Sequence, residues 1–216
     1  MKNLIKVMFF LALIFASTFV FFNLTGLLTL EKIQAWLTSL QNMPAYVVGN
    51  IVILLLFADL FIAMPTLTIM ILSGFFIGPF YGAAFSITGL TLAGFSGYYL
   101  SKRYGDSIIA IVLKKEEDRH NAKEAFRKYG VATILLSRAV PILPEVSACM
   151  AGMNNMPRKT FITAWMFSIV PYACIAAYAG SISTASNPQP AIFTGIGLTL
   201  GLWIAWFIFR KYKMIE

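Results

Sequence analysis

Three ionisable side chains lie deep in apolar sequence: Asp59, Arg138 and Glu145. A charge at the bilayer centre costs roughly 2.5–3.5 kcal/mol on insertion scales, so such residues face protein or water and mark pathways. Arg138 and Glu145 share eight positions with Pro141 and Pro144. Each proline would cost about 3 kcal/mol in a helix interior, so this stretch reads as broken backbone at membrane depth. Such backbone survives only where it is buried in protein or lines a wet cavity. An arginine there can grip a phosphate through forked hydrogen bonds, or pair with a carboxylate purely to hold the structure together.

Other chemistries find little support. The cysteines Cys149 and Cys174 both lie in apolar segments, and the one histidine, His120, lies in a polar stretch. No CxxC motif, zinc-like cluster or nucleophile–base pair is visible, so neither an enzyme nor a metal or cofactor is expected. Of 216 residues, 59% are hydrophobic and 12% charged. Ordinary globular domains are nearer 45–50% apolar and about 25% charged, which makes this an integral membrane protein. The net charge of +8 is gathered near residues 2–6, 102–159 and 210–213. That pattern suits membrane topology and anionic headgroups rather than nucleic acid.

The elements that must position these residues follow in order. Residues 4–22 form an apolar run behind Lys2 and Lys6 with no A-x-A-like site after it, expected as a retained first helix. Residues 28–43 space Leu30, Ile33, Leu37 and Leu40 as an amphipathic interfacial segment ended by Pro44. From Ala45 to Ser101 the only charged residue is Asp59. Pro65 and the glycines divide this run into helices at 45–63 and 66–78 and a span at 80–100. Gly74, Gly78, Gly82 and Gly152 are expected to permit close packing of backbones. The segment 102–130 carries eight Lys or Arg against five acids and reads as a surface helix stopped by Gly130. A span at 161–180, an uncharged loop at 181–190 and a last span at 191–209 complete the chain.

The positive-inside rule orients these pieces. Segment 102–130, Arg158-Lys159 and the terminal RKYK belong inside; the loop 181–190 belongs outside. Residues 131–156 must then enter and return on one side, and residues 45–78 do the same from the other. Spacing agrees: Asp59 precedes Pro65 by six residues and Arg138 precedes Pro144 by six. The expected fold is an all-α polytopic membrane protein: an inverted repeat of two re-entrant helical hairpins, each followed by a transmembrane helix, between N- and C-terminal transmembrane helices. Pro65, Pro141 and Pro144 are the expected hairpin breaks. Reading 45–63 and 131–150 as ordinary spans instead would put 102–130 and Arg158-Lys159 on opposite sides, against the charge rule.

The stretch LSRAVPILPEVSACMAGMNNMPRKTF, and the Gly-rich PTLTIMILSGFFIGPFYGAAFSITGLTLAGFSGYYLSKRYGD, resemble the two signatures of the DedA/VTT superfamily, which includes the SNARE-associated Golgi proteins. The resemblance covers roughly 45–180, between an N-terminal segment 1–44 and a C-terminal segment 191–216. It implies facing re-entrant hairpins and a role in moving lipids, phosphate-bearing ones included, between leaflets of a bacterial inner membrane. With both termini cytoplasmic, Asp59, Arg138 and Glu145 would bind substrate and protons in a polar cavity. One arginine with two carboxylates is net negative, so protonating one carboxylate would admit an anionic headgroup. A small-solute secondary transporter and a non-transporting scaffold are the alternatives. Anionic membrane lipids and protons are the expected partners, with a homo-oligomer kept open.

Overall fold

A computed structural model describes residues 43–62, 64–112, 116–139, 143–184 and 187–213. The expected helix at 4–22, the interfacial segment up to residue 42 and Pro141 lie outside these. Six helices are described: α1 (Ala45–Ala58), α2 (Thr66–Val112), α3 (Glu116–Leu136), α4 (Leu143–Met153), α5 (Arg158–Ser181) and α6 (Gln189–Lys213). A 3-10 turn, Ser137–Ala139, follows α3, and no strand occurs among the described residues. Among the described residues, three stretches are long and apolar enough to cross a membrane: Thr66–Gly105, Arg158–Ser181 and Gln189–Ile208.

The first of these is not one rod. A continuous helix over its 40 residues would reach about 60 Å, twice a bilayer core. Gly78 interrupts it at φ 81°, ψ 170°, a region open essentially to glycine alone, and Pro79 removes the next backbone donor. The chain doubles back there. A Cβ on Gly82 would lie 2.7 Å from the Gly74 nitrogen, and the Ser73 hydroxyl lies 3.1 Å from the Ser86 hydroxyl. Neither could occur eight or thirteen residues along a straight helix. The arm 66–77 therefore runs antiparallel to the helix that starts at Pro79. Gly78 itself corrects one expectation. Nothing would meet a Cβ there within 4 Å, so its role is backbone reversal rather than close packing.

The chain divides into two compact units. Of the described residues, one holds 43–93 and Ile169–Gly195. Within it, glycines on three helices accept neighbours at backbone distance. Gly49 faces the Phe85 ring and Gly89 faces Leu56, so α1 runs parallel to the start of the span. A Cβ on Gly74 would collide with the Ala177 carbonyl, and one on Gly180 with the Ile71 carbonyl. The arm 66–77 thus lies against the second half of α5 with no side chain between them.

Of the described residues, the other unit holds Gly94–Ser168 and 196–213. Its short helix α4 packs the same way: a Cβ on Gly152 would collide with the Tyr98 carbonyl of α2. Gly94 seats the Trp165 ring and Gly105 seats Met153. The α4–α5 turn is made by Asn155 at φ 51°, a left-handed position that asparagine tolerates better than most residues. The Tyr98 hydroxyl donates to the Met156 carbonyl at 2.5 Å, which ties this turn to α2.

One boundary differs from expectation. Gly130 does not stop α3, which begins at Glu116 and continues to Leu136. A Cβ on Gly130 would lie 2.7 Å from the Phe126 ring and 2.9 Å from Met156. The residue is there for close packing inside the helix.

Candidate functional site

At the second break, α3 tightens into the 3-10 turn Ser137–Ala139 and helix resumes at Leu143. The Ser137 hydroxyl donates to the Ile134 carbonyl at 2.7 Å, which satisfies one of the acceptors a helix end releases. The Ala139 carbonyl is satisfied from α6, where the Trp203 indole N–H donates to it at 2.7 Å. Between these two fixed points stands Arg138. Its three guanidinium nitrogens are shielded from solvent, and its Cζ lies 5.5 Å from the centroid of the Trp165 ring. Trp165 is itself buried and stacks on Phe161 at 5.5 Å. A desolvated cation–π contact of this kind is worth about 2 kcal/mol and uses the face of the guanidinium rather than its N–H fork.

Pro144 is not a break. It sits in the first turn of α4, where helix N–H groups have no intrahelical acceptor and a missing donor costs nothing. Glu145 follows it in the same turn and is buried at 9% exposure. A carboxylate there is favoured by the positive end of the helix dipole. One turn on, the Cys149 thiol hydrogen-bonds Ser101 and lies within the field of Glu145. On α5, three residues past Trp165, the Ser168 hydroxyl is buried without a hydrogen-bond partner among the described residues. An unsatisfied buried hydroxyl costs about 1–3 kcal/mol, so it marks a place where a ligand or water would be welcome.

At the first break the acid has a different job. Asp59 closes α1 and is buried at 5% exposure. Its carboxylate accepts the Met64 backbone N–H at 2.7 Å. It thereby holds the connector that delivers the chain to Pro65 and the arm 66–77.

Arg138 and Glu145 fall in one compact unit, on either side of residues 140–142, while Asp59 falls in the other unit. Among the described residues no group of three His, Cys, Asp or Glu could hold a metal. Trp165, Ser168 and Trp203 are the site residues that charge-led reading passes over. A signal for the two tryptophans exists: membrane tryptophans favour the interfacial belts, whereas these stand well inside their spans, away from the basic ends.

Known proteins share this sequence pattern. The VTT domain profile matches residues 64–182. An uncharacterized membrane protein of Buchnera aphidicola subsp. Schizaphis graminum is 24% identical over 208 residues, covering 83% of this chain and 81% of that protein. Undecaprenyl phosphate transporter A of Bacillus subtilis is 26% identical over 107 residues, covering 47% of this chain and 54% of that protein. No solved structure matches.

Proposed function

This chain belongs to the VTT domain family, and from that premise we propose that it is a flippase or scramblase that moves phosphate-bearing lipid headgroups across the bilayer. The carrying observation is Arg138: a cation in a helix break, its nitrogens shielded from solvent and its face on Trp165. A guanidinium matches phosphate with two parallel N–H donors. The buried Ser168 hydroxyl, one turn along α5 from Trp165, offers one more donor. The Bacillus relative, named for undecaprenyl phosphate, makes a polyprenyl phosphate the first substrate to try, with phospholipids the second. In this reading Glu145 carries the proton whose binding makes room for a second negative charge.

The same reading treats the chain as an inverted repeat of re-entrant hairpins. Its support is that each compact unit is built alike. In one, the arm 66–77 carries Gly74 onto the Ala177 carbonyl of a long helix and ends in a positive-φ turn at Gly78. In the other, α4 carries Gly152 onto the Tyr98 carbonyl of a long helix and ends in a positive-φ turn at Asn155. Helices α1 and α4, with 14 and 11 residues, reach only about 21 and 16 Å, short of a bilayer core of about 30 Å.

Reconstitution tests the function. Liposomes holding the purified protein and a fluorescent polyprenyl phosphate should show leaflet exchange faster than empty vesicles, and Arg138→Gln should return the rate to background. Exchange equal to empty vesicles for both polyprenyl phosphate and labelled phospholipid would overturn the proposal. One observation favours a structural reading for Asp59 alone: its bond to Met64 is a sufficient reason for a buried acid.

A further inference from the structure

The rings behind Arg138 do not stop at Trp165. Trp165 stacks on Phe161, and Phe161 stacks on Tyr98 at 4.6 Å with 17° between planes. Over the Tyr98 ring stands Lys102, its Nζ 5.7 Å from the centroid. A column of three rings thus has Arg138 at one end and Lys102 at the other, all within one compact unit. Beside Lys102, Tyr99 meets Tyr98 edge to face at 5.2 Å and carries Arg158 over its own ring at 5.4 Å. Both cations are exposed, and Arg103 and Lys159 adjoin them in sequence. No acid occurs within 98–105 or 154–160.

We propose that Lys102 and Arg158 form a second anion station, which takes the phosphate of an anionic lipid at headgroup level before it reaches Arg138. A cation seated on an aromatic face keeps its N–H donors for another partner, and the ring fixes where those donors are. Two such cations on touching rings are held in place by α2 and by the tyrosine-anchored α4–α5 turn. The surroundings favour a lipid over a free ion. Tyr99, Leu100 and Tyr104 are exposed on the same stretch of α2, which gives tyrosine rings of the interfacial belt and an apolar surface for an acyl chain. The role in transport rests on the function proposed above; the binding does not.

The test reads binding directly. Purified wild-type protein, Lys102→Gln/Arg158→Gln and Lys102→Arg/Arg158→Lys are compared by native mass spectrometry with dioleoylphosphatidic acid, with phosphatidylcholine and with inorganic phosphate as competitor. Each interfacial cation contributes a roughly fivefold gain in affinity for an anionic surface, so the Gln pair should bind phosphatidic acid at least tenfold more weakly. The charge-conserving pair should keep most of the affinity, and phosphatidylcholine should not distinguish the three. Equal phosphatidic acid binding by wild type and the Gln pair would overturn the station. Complete displacement by equimolar inorganic phosphate would overturn the lipid assignment. Should wild type bind phosphatidic acid through this pair yet move no lipid between leaflets, the station stands and the transport function falls.

Discussion

Two charged residues in equivalent-looking positions, Asp59 and Arg138, have unequal surroundings. Asp59 accepts a backbone N–H five residues on, a bond that asparagine can reproduce. Asp59→Asn should therefore keep stability and transport, while Asp59→Ala leaves the part-buried Met64 N–H unanswered, at about 1 kcal/mol. Thermal melting in detergent and leaflet exchange of both variants check this. An Asn variant that melts as wild type but moves no lipid would give Asp59 a proton-carrying role instead. Arg138 calls for geometry as well as charge. Arg138→Lys preserves the charge but loses the planar stack on Trp165 and the fork, so exchange should fall at least tenfold, with stability lowered by no more than the roughly 2 kcal/mol the stack supplies. Trp203→Phe should lower exchange less, since it frees only the Ala139 carbonyl beside the arginine.

The helices show which parts of the fold can be read from residue types and which cannot. Pro65, the Gly78–Pro79 pair and the charge-free stretches mark the divisions at 58–66 and 78–79, because a missing donor or a positive φ restricts the backbone wherever it occurs. The prolines within 131–156 are less telling. Pro144 is compatible with a first helical turn as well as with a break, and only the structure distinguishes the two. Gly130 misleads for a related reason: glycine at a helix end and glycine against a ring look alike until Phe126 and Met156 are placed beside it. Arg138 was legible as a candidate from its cost in lipid. Trp165, which stacks on it, and Trp203, which bonds the adjoining Ala139 carbonyl, were not, since aromatic residues in a span are ordinary until a neighbour is found on one. The glycines supply a paired prediction. At both Gly78 and Gly197 a Cβ would meet nothing within 4 Å, yet only Gly78 has positive φ. Gly78→Ala should destabilise by about 1–3 kcal/mol, whereas Gly197→Ala in α6 should be neutral or stabilise by up to about 1 kcal/mol. Gly152→Ala, which drives a methyl into the Tyr98 carbonyl, should cost at least as much as Gly78→Ala. Melting temperatures rank the three, and a Gly78→Ala protein as stable as Gly197→Ala would remove the reversal argument.

At the scale of the whole molecule, charge and length together favour the path proposed above. Residues 102–128 and 158–159 are basic on both sides of an apolar stretch that holds Arg138. If that stretch crossed the membrane, one basic cluster would be translocated, against the bias that sets topology. Helix α4 reaches only about 16 Å, and the last apolar turns of α3 add a second short piece rather than one long one. The re-entry proposed above would resolve both difficulties at once. It predicts that Lys123 and Lys159 lie on the same face of the membrane, and that Asn187, in the uncharged loop, lies on the other. Single-cysteine proteins can read this, built on a background in which the two native cysteines, both free, are replaced by Ser or Ala. Lys123→Cys and Lys159→Cys should react with a membrane-impermeant maleimide only after the cytoplasmic face is opened, and Asn187→Cys should react in intact cells. Labelling of Lys123→Cys and Lys159→Cys from opposite faces would make 131–157 a crossing segment, and Arg138 would then belong to an ordinary broken span rather than to a hairpin.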